Sequence, residues 1–261
     1  MQNIQKIDFH ILELDSMKKY PENLYYIGNL DLLNKKKIGI IGSRHPSQYA
    51  INYTHQIANQ LSQTNITIIS GGAIGIDTIA HKASGNDNTI MISGTGLDIR
   101  YPSINKKLIT EIEQKGLVLS QFPPNTPSLP RNFAIRNELI VALSDILIVS
   151  YADIKSGSMR SIEYALKMKK EIFVLPHRIG ESEGTNKLLA NGKAKAIYNI
   201  NDFISQFKNS KIVENIKDDF LEYCKTNPTY NEAVTKYNEK VFEYELLRKI
   251  IIINGRIKII Y

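Results

Sequence analysis

The sequence contains no tryptophan, a single cysteine and no long apolar run. The lone cysteine, Cys224, excludes an internal disulfide and any cluster of metal-binding cysteines, and we expect it to fill a core position. No stretch approaches the roughly 18 apolar residues of a membrane-spanning helix. The N-terminus also lacks the basic start and apolar run of a signal peptide. These absences predict a cytoplasmic protein that does not contact the membrane.

Signatures of enzymes and nucleotide-binding proteins are missing as well. The chain has no G-x-x-x-x-G-K-[ST] sequence, which excludes a P-loop NTPase. The first strand-like run ends in IGSR (41–44) instead of G-x-G-x-x-G, which argues against a NAD site. The five histidines have no metal-ligand spacing; we expect His81 to be a core or capping residue and Asp77 to cap the helix around it. We therefore expect no metal, no cofactor and no catalytic centre.

The net charge of +7 is unevenly distributed. Residues 37–210 hold 19 basic and 13 acidic side chains, whereas residues 1–36 balance at 5 and 5, and residues 211–261 hold 9 and 8. A surface that binds a polyanion is therefore expected on the middle segment. A generally basic surface without such a ligand is the alternative.

The middle segment alternates short apolar runs with amphipathic stretches. The apolar runs are unbroken, which is typical of parallel strands covered on both faces, and the amphipathic stretches have helical spacing, as Ile104, Leu108 and Ile112 show. The pattern predicts an α/β fold with a doubly wound, mostly parallel Rossmann-like sheet over 37–210. Residues 1–36 are expected to form an N-terminal lead packed on the sheet edge.

Residues 211–261 have a different pattern, with two short helices, a third helix at 241–249 and a hairpin closed at Asn254 and Gly255. This order predicts a small winged-helix-like domain. The third helix is rich in acidic residues, and phosphate would repel it. A protein-contact or stabilising role is favoured, and nucleic-acid contact is the alternative. The charged residues weighed for this helix are Glu239, Glu243, Glu245, Lys240, Arg248 and Lys249.

Glycine and serine follow several predicted strands, at the edge where the strands end. Ligands of open α/β sheets bind beyond these carboxyl ends, where backbone N–H groups face outward. Each glycine alone could mark a simple tight turn, but four such turns on one edge predict a concave surface suited to phosphate oxygens. They are Ser43-Arg44 after Gly42, Gly71-Gly72, Gly94 to Gly96, and Ser156-Gly157-Ser158.

Two arginines, Arg131 and Arg136, flank Phe133 after a proline-rich loop. An aromatic ring between guanidinium groups is typical of surfaces that bind single-stranded nucleic acid, because bases stack on the ring while phosphates pair with arginine. Phe133 could equally be a core residue of its own helix.

These motifs resemble the DNA-processing protein A (DprA/Smf) family of bacterial transformation proteins. The resemblance covers about residues 20–200 and rests on six elements in order. It implies a Rossmann-like domain that binds single-stranded DNA without cutting it, forms a homodimer and helps to load a RecA-type recombinase, followed by a winged-helix-like domain. By this resemblance Arg44 binds phosphate, and Phe133, Arg136 and Asn137 form the opposite wall of the pocket. The six elements are IGSR (41–44), SGGAIGIDTIAH (70–81), GTGLDIRYPSIN (94–105), Phe133 to Asn137, SGS (156–158) and GTNKLL (184–189).

Two positions depart from the family pattern. Glu138 stands where the family usually has another arginine, which predicts a locally weaker basic pocket, and His177 follows Pro176 where the family usually has glycine.

The rival interpretation is a nucleoside-monophosphate phosphoribohydrolase similar to the LOG enzymes, with Arg136 and Glu163 in the catalytic roles. The stretch SGSMRSIE lacks the second glycine and the threonine of that enzyme motif. A third interpretation is an interaction scaffold without a ligand, which leaves the charge excess unexplained.

Overall fold

The computed structural model describes residues 4–207, 219–246 and 250–259. The chain divides into two compact units, Met1–Lys208 and Asn209–Tyr261. Among the described residues, no helix has the length and apolar character needed to cross a membrane.

The first unit is built on a nine-stranded sheet with the order β1-β2-β6-β5-β4-β3-β7-β8-β9. Strands β3 to β9 pair in parallel, while β1 and β2 are antiparallel at one edge. The predicted fold class, an α/β fold with a mostly parallel sheet, is confirmed. The strands are β1 (Gln5–Lys6), β2 (Tyr25–Gly28), β3 (Lys37–Gly42), β4 (Thr67–Ser70), β5 (Thr89–Ile92), β6 (Leu117–Ser120), β7 (Ile146–Tyr151), β8 (Glu171–Val174) and β9 (Lys195–Ala196).

Helices cover both faces of this sheet, and a separate apolar cluster lies under each face. One cluster packs α4 and α5 against the sheet, as Leu139 and Ile162 show, and the other packs α1, α2 and α7, as Ile57 and Phe203 show. This three-layer arrangement explains why the strands are apolar on both sides. The helices are α1 (Gln48–Ser62), α2 (Ile76–Ser84), α3 (Lys106–Lys115), α4 (Pro130–Leu143), α5 (Ser158–Lys167), α6 (Glu183–Ala190) and α7 (Ile200–Ser205), with 3₁₀ helices at Leu12–Ser16, Leu30–Asn34 and Ser103–Asn105.

Ile104 does not continue the helical spacing of Leu108 and Ile112 within α3. Ile104 is 79% exposed, because it belongs to the 3₁₀ helix before α3 and not to α3 itself. Leu108 and Ile112 are buried as the spacing predicts.

The segment before β3 is joined to the sheet. Strand β2 pairs with β6, and Leu14 is fully buried. Lys37 at the start of β3 is buried, and its Nζ donates to the carbonyls of Leu33 (2.7 Å) and Lys35 (3.0 Å) and pairs with the Glu13 carboxylate at 2.9 Å. A buried ammonium needs such partners, and here they attach this segment to the central strand.

The order of the strands reverses at β3. After β3 the chain adds β4, β5 and β6 on one side, then returns to add β7, β8 and β9 on the other. The loops that follow β3 and β7 therefore leave the sheet in opposite directions and open a crevice between them, which is where ligands of doubly wound folds bind.

In its described residues, 219–246 and 250–259, the second unit contains three short helices and a two-stranded hairpin around its own apolar cluster, which includes Phe220, Val241 and the buried Cys224. Asn254 (φ 51°) and Gly255 (φ 73°) form the predicted hairpin turn, and both have the positive φ that a type I′ turn requires. Arg248 and Lys249 of the predicted third helix lie outside the described residues. The elements are α8 (Asp219–Cys224), α9 (Tyr230–Tyr237), α10 (Glu239–Leu246), β10 (Ile250–Ile253) and β11 (Arg256–Ile259).

Candidate functional site

A cleft of about 810 Å³ opens at the point where the strand order reverses. Its walls come from the end of β3 and the loop after it, from the segments after β4 and β5, from α4, and from the loop after β7 with the first turn of α5. Most of the residues predicted from the sequence meet here. Those that line the cleft are Ser43, Arg44, Arg131, Phe133, Arg136, Asn137, Ser156, Gly157 and Ser158.

Three exposed arginines, Arg44, Arg131 and Arg160, line this cleft. None of their side chains makes a hydrogen bond or ion pair with a residue that the structure describes. The acidic side chain among the lining residues is Asp77, which is buried. The cleft surface is therefore cationic, with guanidinium groups available to an anionic ligand.

Phe133 and Tyr101 form an aromatic wall in a smaller recess of about 80 Å³ next to the cleft. Their ring centroids are 5.4 Å apart. Phe133 is half-buried, and its ring lies on Gly94, where a β-carbon would approach the ring to 2.5 Å. Phe133 is thus a wall residue with an accessible ring, and Gly94 makes room for it.

Arg136 differs from the other arginines because it is only 4% exposed. Its Nη1 donates to the carbonyls of Gly71 and Ile92, the latter at 2.6 Å. Burial lowers the pKa of Arg136 to about 10, and the charge of Asp77 opposes this shift. Arg136 lies among the residues that line the cleft, so its predicted ligand-binding role stays a prediction, and it also ties together the loops after β4 and β5.

Asp77 is not the cap of its helix, which corrects the sequence prediction. The N-cap position of α2 is Gly75. The Asp77 carboxylate instead accepts hydrogen bonds from the backbone N–H groups of Gly71 (3.2 Å) and Ala73 (3.4 Å). Burial raises the pKa of Asp77, while the charge of Arg136 partly counteracts the shift. Asp77 therefore fixes the glycine-rich loop that Arg136 holds from the other side.

The two glycines of this loop have different positions. Gly71 lines the small recess, and a β-carbon there would collide with the Arg136 guanidinium. Gly72 has φ +71°, and a β-carbon there would meet the Met91 side chain of β5. Gly72 is thus absent from the residues that line the cleft and the recess, because it packs onto the sheet.

His81 has the core position that was one of its two expected roles. It is fully buried, and its Nδ1 lies 2.7 Å from the Thr89 hydroxyl. That hydroxyl donates to the Ile68 carbonyl at 2.9 Å, so Nδ1 of His81 carries the proton. Burial, followed by the charge of Arg136, lowers the pKa of His81 to about 3.

The two departures from the family pattern are accommodated outside the cleft wall. The Glu138 carboxylate accepts a hydrogen bond from the Lys18 backbone N–H at 2.8 Å and is absent from the cleft lining, and the predicted local weakening of the basic pocket stays a prediction. His177 lies 2.8 Å from the Ser150 carbonyl through Nε2. Asn186 bonds both backbone polar groups of His177, which holds this turn without a glycine.

Sequence reasoning missed several lining residues, of which Tyr101 and Arg160 contribute most of the chemistry. A signal existed for each, because Tyr101 follows the third glycine-rich turn and Arg160 comes two residues after Ser158. Glu163, the second residue of the rival enzyme hypothesis, is exposed and does not line the cleft. The structure therefore does not bring together the Arg136 and Glu163 pair that this hypothesis requires.

Curated relatives share about a third of their residues with this chain. Protein Smf of Synechocystis is 35% identical over 193 residues, which cover 71% of this chain and 48% of that protein, so the match spans about half of the relative. DNA processing protein DprA of Streptococcus pneumoniae is 35% identical over 205 residues, which cover 77% of this chain and 72% of that protein.

Solved structures show the same similarity in three dimensions. DNA processing protein A of Helicobacter pylori, studied for its single-stranded DNA binding mode, matches with a TM-score of 0.77 and 40% identity, covering 79% of this chain and 97% of that one. The S. pneumoniae DprA crystal structure matches with a TM-score of 0.72 and 35% identity, covering 79% and 74%. A sequence profile described as DNA recombination-mediator protein A matches residues 8–208. This chain belongs to the DNA recombination-mediator protein A family.

Proposed function

We propose that this protein binds single-stranded DNA in the cleft between the loops after β3 and β7. The observation that supports this most directly is that three exposed arginines, with no partner among the residues that the structure describes, and an accessible aromatic wall line one concave surface. Guanidinium groups bind phosphate oxygens, and Phe133 and Tyr101 offer ring faces to unpaired bases. The H. pylori relative, studied for its single-stranded DNA binding mode, supports the same ligand.

A cleft with these walls favours a single strand over a duplex. Bases can stack on Phe133 only in a single strand, because in a duplex the neighbouring base pairs cover both faces of each base. The described residues that line the cleft come from strand ends, loops, α4 and the start of α5, and they form a concave surface instead of a protruding helix that would enter a major groove. Binding should depend little on sequence, because phosphate contacts and stacking carry little sequence information.

We further propose that the bound strand is protected in the cytoplasm and passed to a RecA-type recombinase, with the protein acting as a homodimer. The family description as a recombination mediator supports this role. We assign the second unit as a winged-helix-like domain on the order of three helices followed by a hairpin. Its sequence at 211–261 is nearly balanced in charge, which favours a protein contact over a DNA contact.

The proposed ligand is tested by competition. A fluorescent oligo-dT bound to the protein is displaced by unlabelled oligo-dT or by a duplex of equal length, and anisotropy is recorded at several salt concentrations. We expect much weaker competition by the duplex and a log–log salt slope of about −0.7 per phosphate neutralised. Equal competition by the duplex would contradict the assignment.

The proposed role in recombination needs its own measurement. Recombinase filament assembly is followed on single-stranded DNA coated with a single-strand-binding protein, with and without this chain. We expect faster assembly with the protein and no acceleration with an Arg44→Ala variant. Sedimentation equilibrium tests the dimer, and a monomer at all concentrations would contradict that part of the proposal.

A further inference from the structure

Arg160 is an exposed cation of the cleft that was not among the predicted site residues, although it lies within the stretch SGSMRSIE (156–163). It is the third residue of α5, and its guanidinium makes no hydrogen bond or ion pair with any described residue. Arg160 is on the side of α5 that faces the cleft, because its neighbours Ser158 and Ser161 line the same cleft and are buried. Arg160 therefore extends from the cleft wall into space that a ligand can enter.

The start of α5 has polar groups without protein partners beside Arg160. Ser158 is 8% exposed, and its hydroxyl has no hydrogen bond within the described part of the chain. The Ser156 hydroxyl is buried and also has no hydrogen-bond partner among the described residues. The N-cap residue Gly157 offers no side-chain cap, and a β-carbon on it would meet nothing within 4 Å. Buried hydroxyls normally have partners, so the Ser156 hydroxyl, which is buried without one in the described part of the chain, favours a ligand at this point, and the Ser158 hydroxyl is a further donor beside it.

The chemistry of this cluster selects an anion. A helix N-terminus has a partial positive charge and free N–H groups, and a nearby guanidinium increases the local potential. Hydroxyl groups donate to oxygen acceptors as well. Glu163, the acidic residue nearest in sequence on α5, is exposed and does not line the cleft. A phosphate group matches these donors.

The size of the cleft leaves room for more than one nucleotide. Its volume of about 810 Å³ lies near the upper end of the ~300–1,000 Å³ typical of pockets for drug-sized ligands. Arg44, on the loop after β3, and Arg160, after β7, belong to different walls of this one cleft. A DNA strand with one phosphate bound to Arg44 can therefore place another of its phosphates at Arg160 on the opposite wall.

We propose that Arg160, together with Ser156, Gly157 and Ser158, binds a second backbone phosphate of the DNA strand, separate from the phosphate at Arg44. This inference rests on the proposed binding of single-stranded DNA in the cleft. It assigns the α5 end of the cleft as a phosphate subsite and Arg160 as its charged ligand.

The test compares Arg160→Ala with Lys167→Ala in the full-length chain. Lys167 is an exposed cation in the last turn of the same helix and does not line the cleft, so its substitution removes the same charge elsewhere. Oligo-dT affinity is measured by anisotropy over a range of salt concentrations. We expect Arg160→Ala to weaken binding about tenfold and to make the salt slope shallower by about 0.7, while Lys167→Ala has a clearly smaller effect. Arg160→Lys should recover part of the affinity, because it keeps the charge and loses the planar fork.

The outcomes separate this inference from the proposed function. If the wild type and Lys167→Ala bind, Arg44→Ala weakens binding and Arg160→Ala behaves like Lys167→Ala, the second subsite is refuted while the proposed function stands. If the wild type does not bind oligo-dT, the proposed function is refuted and the subsite with it. Oligonucleotides with a 5′-hydroxyl and a 5′-phosphate are compared as well. If Arg160→Ala lost affinity only for the 5′-phosphorylated strand, the subsite would bind a terminal phosphate, and the assignment to a backbone phosphate would be overturned.

Discussion

Arg44 and Arg136 are close together but differ in physical state. Arg44 is exposed, and its charge is near enough to contribute to the lowered pKa of Arg136. Arg136 is 4% exposed, with its guanidinium on two backbone carbonyls. An exposed guanidinium can exchange water for phosphate at small cost, whereas Nη1 of the buried Arg136 is already bonded to protein carbonyls. The two residues should therefore respond differently to substitution.

Arg44→Ala should weaken oligo-dT binding by about 1–3 kcal/mol, the range for hydrogen bonds that involve charged groups. The melting temperature should hardly change, because the side chain has no partner among the described residues. Arg44→Lys should recover part of the affinity. The control is Lys107→Ala on α3, whose side chain is 92% exposed and which does not line the cleft. Normal DNA binding combined with early melting would show that Arg44 supports the loop and not a ligand.

Arg136→Ala should destabilise the fold by about 3 kcal/mol, because it leaves the carbonyls of Gly71 and Ile92 and the Asp77 carboxylate in a buried site without their cationic partner. Urea unfolding measures this loss. Arg131→Ala, at an exposed position on the same helix, should leave the unfolding midpoint close to that of the wild type. Equal stability of the two variants would contradict the assigned structural role of Arg136.

At the scale of elements, the carboxyl ends of the strands bring the glycine-rich turns together, and hydrogen bonds between neighbouring elements hold those turns. Asn105, before α3, donates to the Gly72 carbonyl at 2.9 Å and to the Thr78 hydroxyl of α2 at 2.8 Å. The rim loops are thus attached to the helices behind them. This arrangement keeps the cleft wall in place before a ligand binds.

His81 should make stability depend on pH. The pKa of His81 is about 3 in the folded protein, against a reference value of 6.5. Between pH 3 and pH 6.5 the unfolded chain therefore binds a proton at His81 that the folded protein does not bind. The stabilisation that comes from keeping His81 neutral is fully present above pH 6.5 and is lost as the pH falls towards 3. At pH 5 the free energy of unfolding should be lower by about 2 kcal/mol for this reason. Urea unfolding of the wild type and of His81→Gln at pH 7 and pH 5 checks this. The expected result is a smaller loss between the two pH values for the variant; an equal loss would exclude His81 as the source.

At the scale of the whole molecule, the positive charge and the cleft belong to the first unit. Residues 37–210 carry the surplus of basic side chains, while residues 211–261 are close to balance. The first unit also has its own apolar clusters on both faces of the sheet. These features place the proposed DNA site entirely within this unit.

A chain ending at Lys208, the boundary of the first unit, should bind oligo-dT with nearly the affinity and the salt slope of the full-length protein. The reason is that every residue lining the cleft precedes this boundary. Circular dichroism and thermal melting must first show that the shortened chain is folded. Loss of most affinity by a folded Met1–Lys208 chain would mean that the second unit contributes to the DNA site.

Sequence alone determined the class of fold and the edge of the sheet that forms the site. Unbroken apolar runs and helical spacing are local properties that each segment carries in its own residues, and the rule that parallel strands end at one edge then places the glycine-rich turns together. The Asn254-Gly255 turn was predictable for the same reason, since positive φ at both positions favours these two residue types. The six ordered motifs likewise led to the correct family.

Only the tertiary structure decided which predicted residues line the cleft. Burial depends on packing between segments far apart in the chain, so the pattern around Phe133 could not show that Arg136 is enclosed by the loops after β4 and β5 while Arg131 remains exposed. Gly72 packs against Met91, and Glu138 bonds the backbone of Lys18; in both cases the partner is more than a dozen residues away in sequence. Arg160 lines the cleft because of the way in which the whole of α5 packs. Hydrogen-bond partners and solvent exposure are properties of the packed molecule, and a local motif fixes neither of them.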